Sequence, residues 1–145
     1  MRFRYTDIQN HQDPRRPFQR PYLIIRLING DRRKDVISLV DSGADVCLFH
    51  SDIGRMLGIE IETAPQLSFQ GISGAREVAY LHRVGLAVRG LNAITLDVGF
   101  TNSMAAGTGL LGQRGFFEQF QINFQLSQKF FEVVPVSRGK QDQLQ

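Results

Sequence analysis

The sequence has no tryptophan, one cysteine, three histidines and five prolines in 145 residues. With Cys47 alone there is no internal disulfide, and the default setting is a reducing cytoplasm. A cysteine nucleophile needs a base beside it. His11, His50 and His82 form no recognisable pattern around Cys47, which reads instead as a buried structural thiol. Nor do these four residues repeat a metal-ligand spacing, so neither metal nor cofactor is expected. Long apolar runs are missing too: no stretch approaches the roughly 20 residues a membrane-crossing helix requires. The opening MRFRYTDIQNHQDPRR is polar where a secretory signal carries an apolar core, and no membrane span is expected. No self-similarity at periods of about 20 to 50 residues is visible, which excludes a solenoid or propeller.

What is present suits one soluble domain. The apolar share is 42%, with eleven phenylalanines, and charged residues make up 21%, enough apolar surface for one core and too few residues for two comfortable ones. The net charge of +3 is uneven: residues 1–34 hold nine Arg or Lys against three Asp, and residues 35–145 hold eight against eleven Asp or Glu. A basic leader can touch nucleic acid, but no aromatic interleaving or recognition motif accompanies these arginines, so a solvated arm is the better reading and a nucleic-acid partner is not expected. Residues 1–20 lack periodicity and read as an extended or disordered basic arm, residues 21–135 as the domain, and residues 136–145 as a loose tail.

Within the domain, residues 22–28 (YLIIRLI) and 35–40 (DVISLV) flank Asn29-Gly30-Asp31, a strong hairpin signal. Residues 46–49 read as a short strand, and Ser51 as the cap of a short helix ending at Gly58. Residues 59–69 and 77–88 look like two longer strands joined by a glycine-bearing tip, and residues 93–100 (AITLDVGF) alternate towards another. Leu110-Leu111-Gly112 is a short apolar stub, residues 115–120 (GFFEQF) suit a brief helix, and residues 122–124 and 129–134 close the domain as a hairpin. Many short strands with one or two short helices predict a mainly β, barrel-like or sandwich-like domain.

Between two apolar runs stands Asp41-Ser42-Gly43-Ala44-Asp45. Turn residues normally sit in polar, exposed loops, whereas this set lies between Ile37, Leu39 and Val40 on one side and Val46, Leu48 and Phe49 on the other. A carboxylate driven into apolar surroundings needs a reason. One reaction that uses such a group is hydrolysis by a carboxylate dyad, in which one aspartate stays protonated as acid while the other activates water. In that setting the Ser42 hydroxyl can stiffen the loop, and Gly43, without a Cβ, lets a second loop and a substrate backbone approach.

This loop, the Gly71-Ile72-Ser73-Gly74 tip and the Leu110-Leu111-Gly112 stub, in that order over residues 22–134, resemble the retropepsins, the single-domain aspartic proteases of retroviruses and their cellular and prokaryotic relatives. LLGQRGFFEQFQINF is most similar to the prokaryotic branch. The resemblance implies a closed retropepsin-like β-barrel acting as a homodimer. It implies that Asp41 is catalytic, that Ser42 and Gly43 support the loop, and that Ser42 bonds its counterpart across the dimer. Gly43, Ala44 and Asp45, with Gly71, Ile72, Ser73 and Gly74 of a flap over residues 68–76, would meet a peptide substrate, and the stub would thread behind the loop. Gln113 stands where the family often has Arg, so an Asp45–Arg114 ion pair is a hypothesis here.

A dyad needs two aspartates and this chain supplies one such loop. Asp97-Val98-Gly99 lies in an alternating strand as a surface carboxylate, and Asp52-Ile53-Gly54 begins a helix. An active enzyme is therefore expected to be an isologous homodimer. Ala44 cannot donate a hydrogen bond to the dyad as a hydroxyl would, which favours a mildly acidic optimum. Phe116, Phe117, Phe120 and Phe124 are expected in the core or dimer packing. The alternative to an endopeptidase is a non-catalytic dimer of the same fold that binds peptides or partner proteins.

Overall fold

In the computed structural model, which describes residues 1–137, alternating apolar residues become the inward faces of strands. The strands are β1 (Arg2–Arg4), β2 (Thr6–Ile8), β3 (Phe18–Arg20), β4 (Tyr22–Asn29), β5 (Arg32–Val40) and β6 (Leu48–His50), followed by helix α1 (Ser51–Met56). After it come β7 (Gln66–Gln70), β8 (Arg76–Val88), β9 (Ile94–Thr101), β10 (Thr108–Leu111), β11 (Phe120–Gln125) and β12 (Phe130–Pro135). The molecule is mainly β with this one short α-helix among the described residues. No helix among them is long and apolar enough to cross a membrane.

The main sheet runs β4-β5-β10-β6-β9-β8-β7, and β4 pairs with β8 as well. β10 lies parallel to β5 and antiparallel to β6, so the stub after residue 107 is inserted between the two strands that flank the Asp41 loop. Inside sit Leu23, Ile25 and Leu27 of β4, Val36 and Val40 of β5, and fully buried Phe49, Phe100, Phe116 and Phe131. Each such phenylalanine contributes about 1.5–3 kcal/mol through burial. The β4–β5 turn is shorter than expected, because β5 begins at Arg32 and leaves only Gly30 and Asp31 between the strands.

Four local expectations are corrected. Residues 59–69 are not one strand: a 3-10 turn at Ile61–Thr63 buries Ile61, and pairing starts only after Pro65, which has no N–H to donate. Residues 115–120 form turns rather than a helix. Phe120 N–H reaches Phe116 O (2.9 Å), but Phe120 must then begin β11. Helix α1 is capped by His50, whose Nδ1 accepts the Asp52 N–H (3.2 Å), while Ser51 is its buried first residue. The arm is extended but paired: β1 joins β12 in a β1-β12-β11 sheet, and β2 with β3 forms a hairpin. Phe3 and Tyr5 pack on Phe131 at 5.7 and 5.5 Å between ring centroids, an apolar contact hidden in a sequence dominated by arginine. Of the tail expected to be loose, residues 138–145 lie outside the described residues.

Candidate active site

The Asp41 loop begins where β5 ends. Asp41 N–H donates to Leu111 O (3.0 Å), which ties the start of the loop to β10 as β5 and β10 run side by side. Ala44 N–H closes a turn on Asp41 O (3.2 Å), and Gly43 N–H donates to the carboxylate itself, at Asp41 Oδ1 (2.9 Å). A Cβ on Gly43 would stand 3.2 Å from that oxygen. Such a bond holds the carboxylate in one orientation.

The far side of the loop is held by the residues that follow β10. Gln113 N–H donates to Ala44 O (2.8 Å), Arg114 N–H to Asp45 O (2.9 Å), and Gln113 Nε2 to Ser42 O (2.6 Å). Gly112 passes so close beneath that a Cβ there would lie 2.3 Å from Val46 O and 2.7 Å from Ala44 O. Cys47 completes the underside: its Sγ accepts Gly112 N–H (3.3 Å) and lies 3.7 Å from Arg114 O. The thiol is fully buried, and burial pushes its pKa up to about 11 against the opposing effect of main-chain hydrogen bonds, so it stays a neutral packing group.

The surroundings differ from the buried setting expected for the loop. Asp41 and Ala44 are half-buried, and Ser42, Gly43 and Asp45 are exposed. The reason is strand alternation: Val36, Ser38 and Val40 point inward, while Ile37 is 54% exposed, so the apolar run before Asp41 has two faces. The loop instead floors a cleft of about 1160 Å³. Asp41, Gly43, Ala44 and Asp45 line it from below, and Gly71 and Ile72 from the β7–β8 hairpin. Ser42, Ser73 and Gly74 do not line it in the single chain. Ile72, at the hairpin tip, is completely exposed.

Other candidates resolve differently. Asp97 is an exposed carboxylate paired with Arg83 (3.3 Å). Asp45 and Arg114 meet through main chain only, and no ion pair joins them among the described residues, although both line the cleft. Phe116 and Phe120 are core, Phe117 reaches the cleft, and Phe124 is exposed. Among the described residues no group of three or more His, Cys, Asp or Glu could hold a metal.

Two contacts were not foreseen from sequence. One is the Gln113 amide on Ser42, for which the position after Gly112 was the only signal. The other is a pair of bonds that ties β8 down just below the hairpin tip: Ser103 Oγ donates to Glu77 Oε2 (2.6 Å) and Thr101 Oγ1 to Val78 O (2.8 Å).

No protein-family model matches this chain, and no curated protein matches it in sequence. Among solved structures it is similar to a retropepsin-like aspartic protease from Rickettsia conorii, with a TM-score of 0.53 and 12% sequence identity over 92% of this chain and 98% of that one. At that identity the likeness is one of architecture: the chain resembles a retropepsin-like aspartic protease in fold.

Proposed function

We propose that the protein is an aspartic endopeptidase that works as a homodimer, its β4-β5-β10-β6-β9-β8 strands wrapping into a closed barrel on each side of a two-fold axis. The observation that carries this reading is the placement of Asp41. Its carboxylate, oriented by Gly43 N–H, sits on the floor of a cleft that reaches from the loop to the β7–β8 hairpin.

Two copies of Asp41 facing one another cannot both ionise, so one holds a proton. The ionised one takes a proton from a water between them as that water's oxygen attacks the peptide carbonyl carbon, and the protonated one gives its proton to the carbonyl oxygen. Collapse of the tetrahedral species breaks the C–N bond: the departing nitrogen receives the proton that the first aspartate took from water, and one hydroxyl of the species returns its proton to the other aspartate as the new carboxyl forms, which restores the singly protonated dyad. Ser42 and Gly43, exposed in one chain, are where a partner loop would lie. Gly43, Ala44 and Asp45 below and residues 70–75 above would hold the substrate backbone, with the β7–β8 hairpin as the flap that excludes water. Cys47 has no partner in its own chain, which suits a reducing compartment such as the cytoplasm.

The test is cleavage of a peptide library by the full chain and by Asp41→Asn, with oligomeric state measured on both. Cleavage by a wild-type dimer, greatest at mildly acidic pH and abolished in a dimeric Asp41→Asn, is the expected result. A dimer that binds peptides and cuts none would establish the non-catalytic alternative, and cleavage by stable monomers would refute the dyad.

A further inference from the structure

We propose that Gln113 is a positioning residue for Asp41, acting through the peptide unit that joins Ser42 to Gly43; the inference rests on the hydrolytic reading above. That unit is rigid and nearly planar, so its C=O and N–H point in opposite directions and move together. Its C=O accepts from Gln113 Nε2 at 2.6 Å, and its N–H donates to Asp41 Oδ1 at 2.9 Å. One side-chain amide and the reacting carboxylate thus hold opposite ends of a single plane. The acceptor is a carbonyl oxygen, which requires the NH₂ end of the Gln113 amide to face it.

Three other carbonyls of the loop are held by main chain: Asp41 O by Ala44 N–H, Ala44 O by Gln113 N–H and Asp45 O by Arg114 N–H. Ser42 O differs in depending on a side chain among the described residues, and it is the carbonyl one peptide plane from Asp41 Oδ1. A donor on C=O also polarises the amide and strengthens its N–H as a donor. Gln113 therefore favours the orientation of Asp41 in which the carboxylate accepts from Gly43 N–H. The family-type Arg at this position would carry charge into the cleft; glutamine braces the loop without altering its charge.

Charged side chains sharing the cleft with Asp41 are Asp45 on the loop, Arg114 and Glu118 after β10, and Arg76 beside the hairpin tip. All are kept in the test. Gln113→Met preserves length and removes the donor; loss of one hydrogen bond predicts a roughly fivefold fall in kcat with KM nearly unchanged. Gln113→Glu can donate only when protonated, so its kcat relative to wild type should be low at neutral pH and recover below about pH 4.3.

One readout does not need turnover: hydrogen exchange at the Gly43 amide in the full chain. Gln113→Met should speed it about fivefold. If this change appears in a protein that cleaves nothing, the hydrolytic reading fails and the positioning role stands. If wild type cleaves peptides while Gln113→Met leaves both kcat and the exchange unmoved, the proposal is overturned. Should Gln113→Met fail to fold, Gln113→Glu decides by the same measurements: a kcat ratio to wild type that does not change with pH overturns it.

Discussion

Replacing Gly112 by alanine tests whether the loop and the stub are truly threaded. The new methyl would lie 2.3 Å from Val46 O, 2.6 Å from Val46 C and 2.7 Å from Ala44 O, all main-chain atoms that cannot rotate aside. Non-bonded carbon contacts settle at about 3.5 Å or more, so the end of β10 must retreat by roughly 1 Å. That retreat stretches the bonds from Gln113 N–H to Ala44 O (2.8 Å) and from Arg114 N–H to Asp45 O (2.9 Å). Overpacking of about 1–3 kcal/mol plus about 1 kcal/mol for each weakened bond gives a loss near 4 kcal/mol. In a chain of this size that lowers Tm by roughly 8–16 °C. Gly107→Ala is the control. Gly107 has φ +74° and nothing within 4 Å of where an added methyl would stand, so it incurs only the conformational cost of about 1 kcal/mol, or roughly 2–4 °C. Urea and thermal melts of both variants, with the urea slope unchanged, give the comparison. A Gly112→Ala protein as stable as Gly107→Ala would refute the threading argument and the loop geometry built on it.

Two further outcomes follow from the same contacts. Cys47 has its thiol pKa raised by burial from 9.0 to about 11, so the unfolded thiol ionises first as pH rises. Stability from this group is complete below about pH 9 and should fall by roughly 2–3 kcal/mol on passing pH 11, a loss missing from alkaline melts of Cys47→Ala; equal slopes would contradict it. Deleting residues 1–5 removes Phe3 and Tyr5 from Phe131 and the β1–β12 pairing, and should cost about 3 kcal/mol or more in urea melts, whereas shortening the β2–β3 hairpin between residues 9 and 17 should cost under about 1 kcal/mol.

The strand hairpins are readable where local chemistry decides them. Asn29-Gly30-Asp31 between apolar runs foretells β4 and β5, and the glycine-bearing tip foretells β7 and β8. The arm reads as extended or disordered because its ordering comes from Phe131, about 130 positions away in sequence, and no local pattern in residues 1–5 reports that partner. The 3-10 turn at Ile61–Thr63 escapes for a similar reason, since the burial of Ile61 and its carbonyl bond from His82 Nε2 (2.8 Å) are tertiary. The site divides the same way. Asp41, Gly43, Ala44 and Asp45 are recognisable as a loop and they do line one cleft with Gly71 and Ile72. The Gln113 and Cys47 contacts that fix the loop depend on β10 being inserted between β5 and β6, a long-range arrangement.

The bonding of the loop separates two requirements of a carboxylate dyad. Its geometry is set within one chain: the ends of the loop are tied to β10 and the residues after it, Gly43 N–H fixes the carboxylate, and Gln113 holds the opposite end of that peptide plane. The sharing of a proton is not, because in the proposed dyad it needs the Asp41 carboxyl of a second chain. Under the hydrolytic reading, association therefore supplies the missing proton chemistry to a loop already held in shape, rather than folding the loop. This also explains why Ser42, Gly43 and Asp45 tolerate exposure in the single chain. Ser42 O, Gly43 N–H and Asp45 O are bonded within the chain, so under the same reading the outward face can meet a second loop without first giving up those bonds.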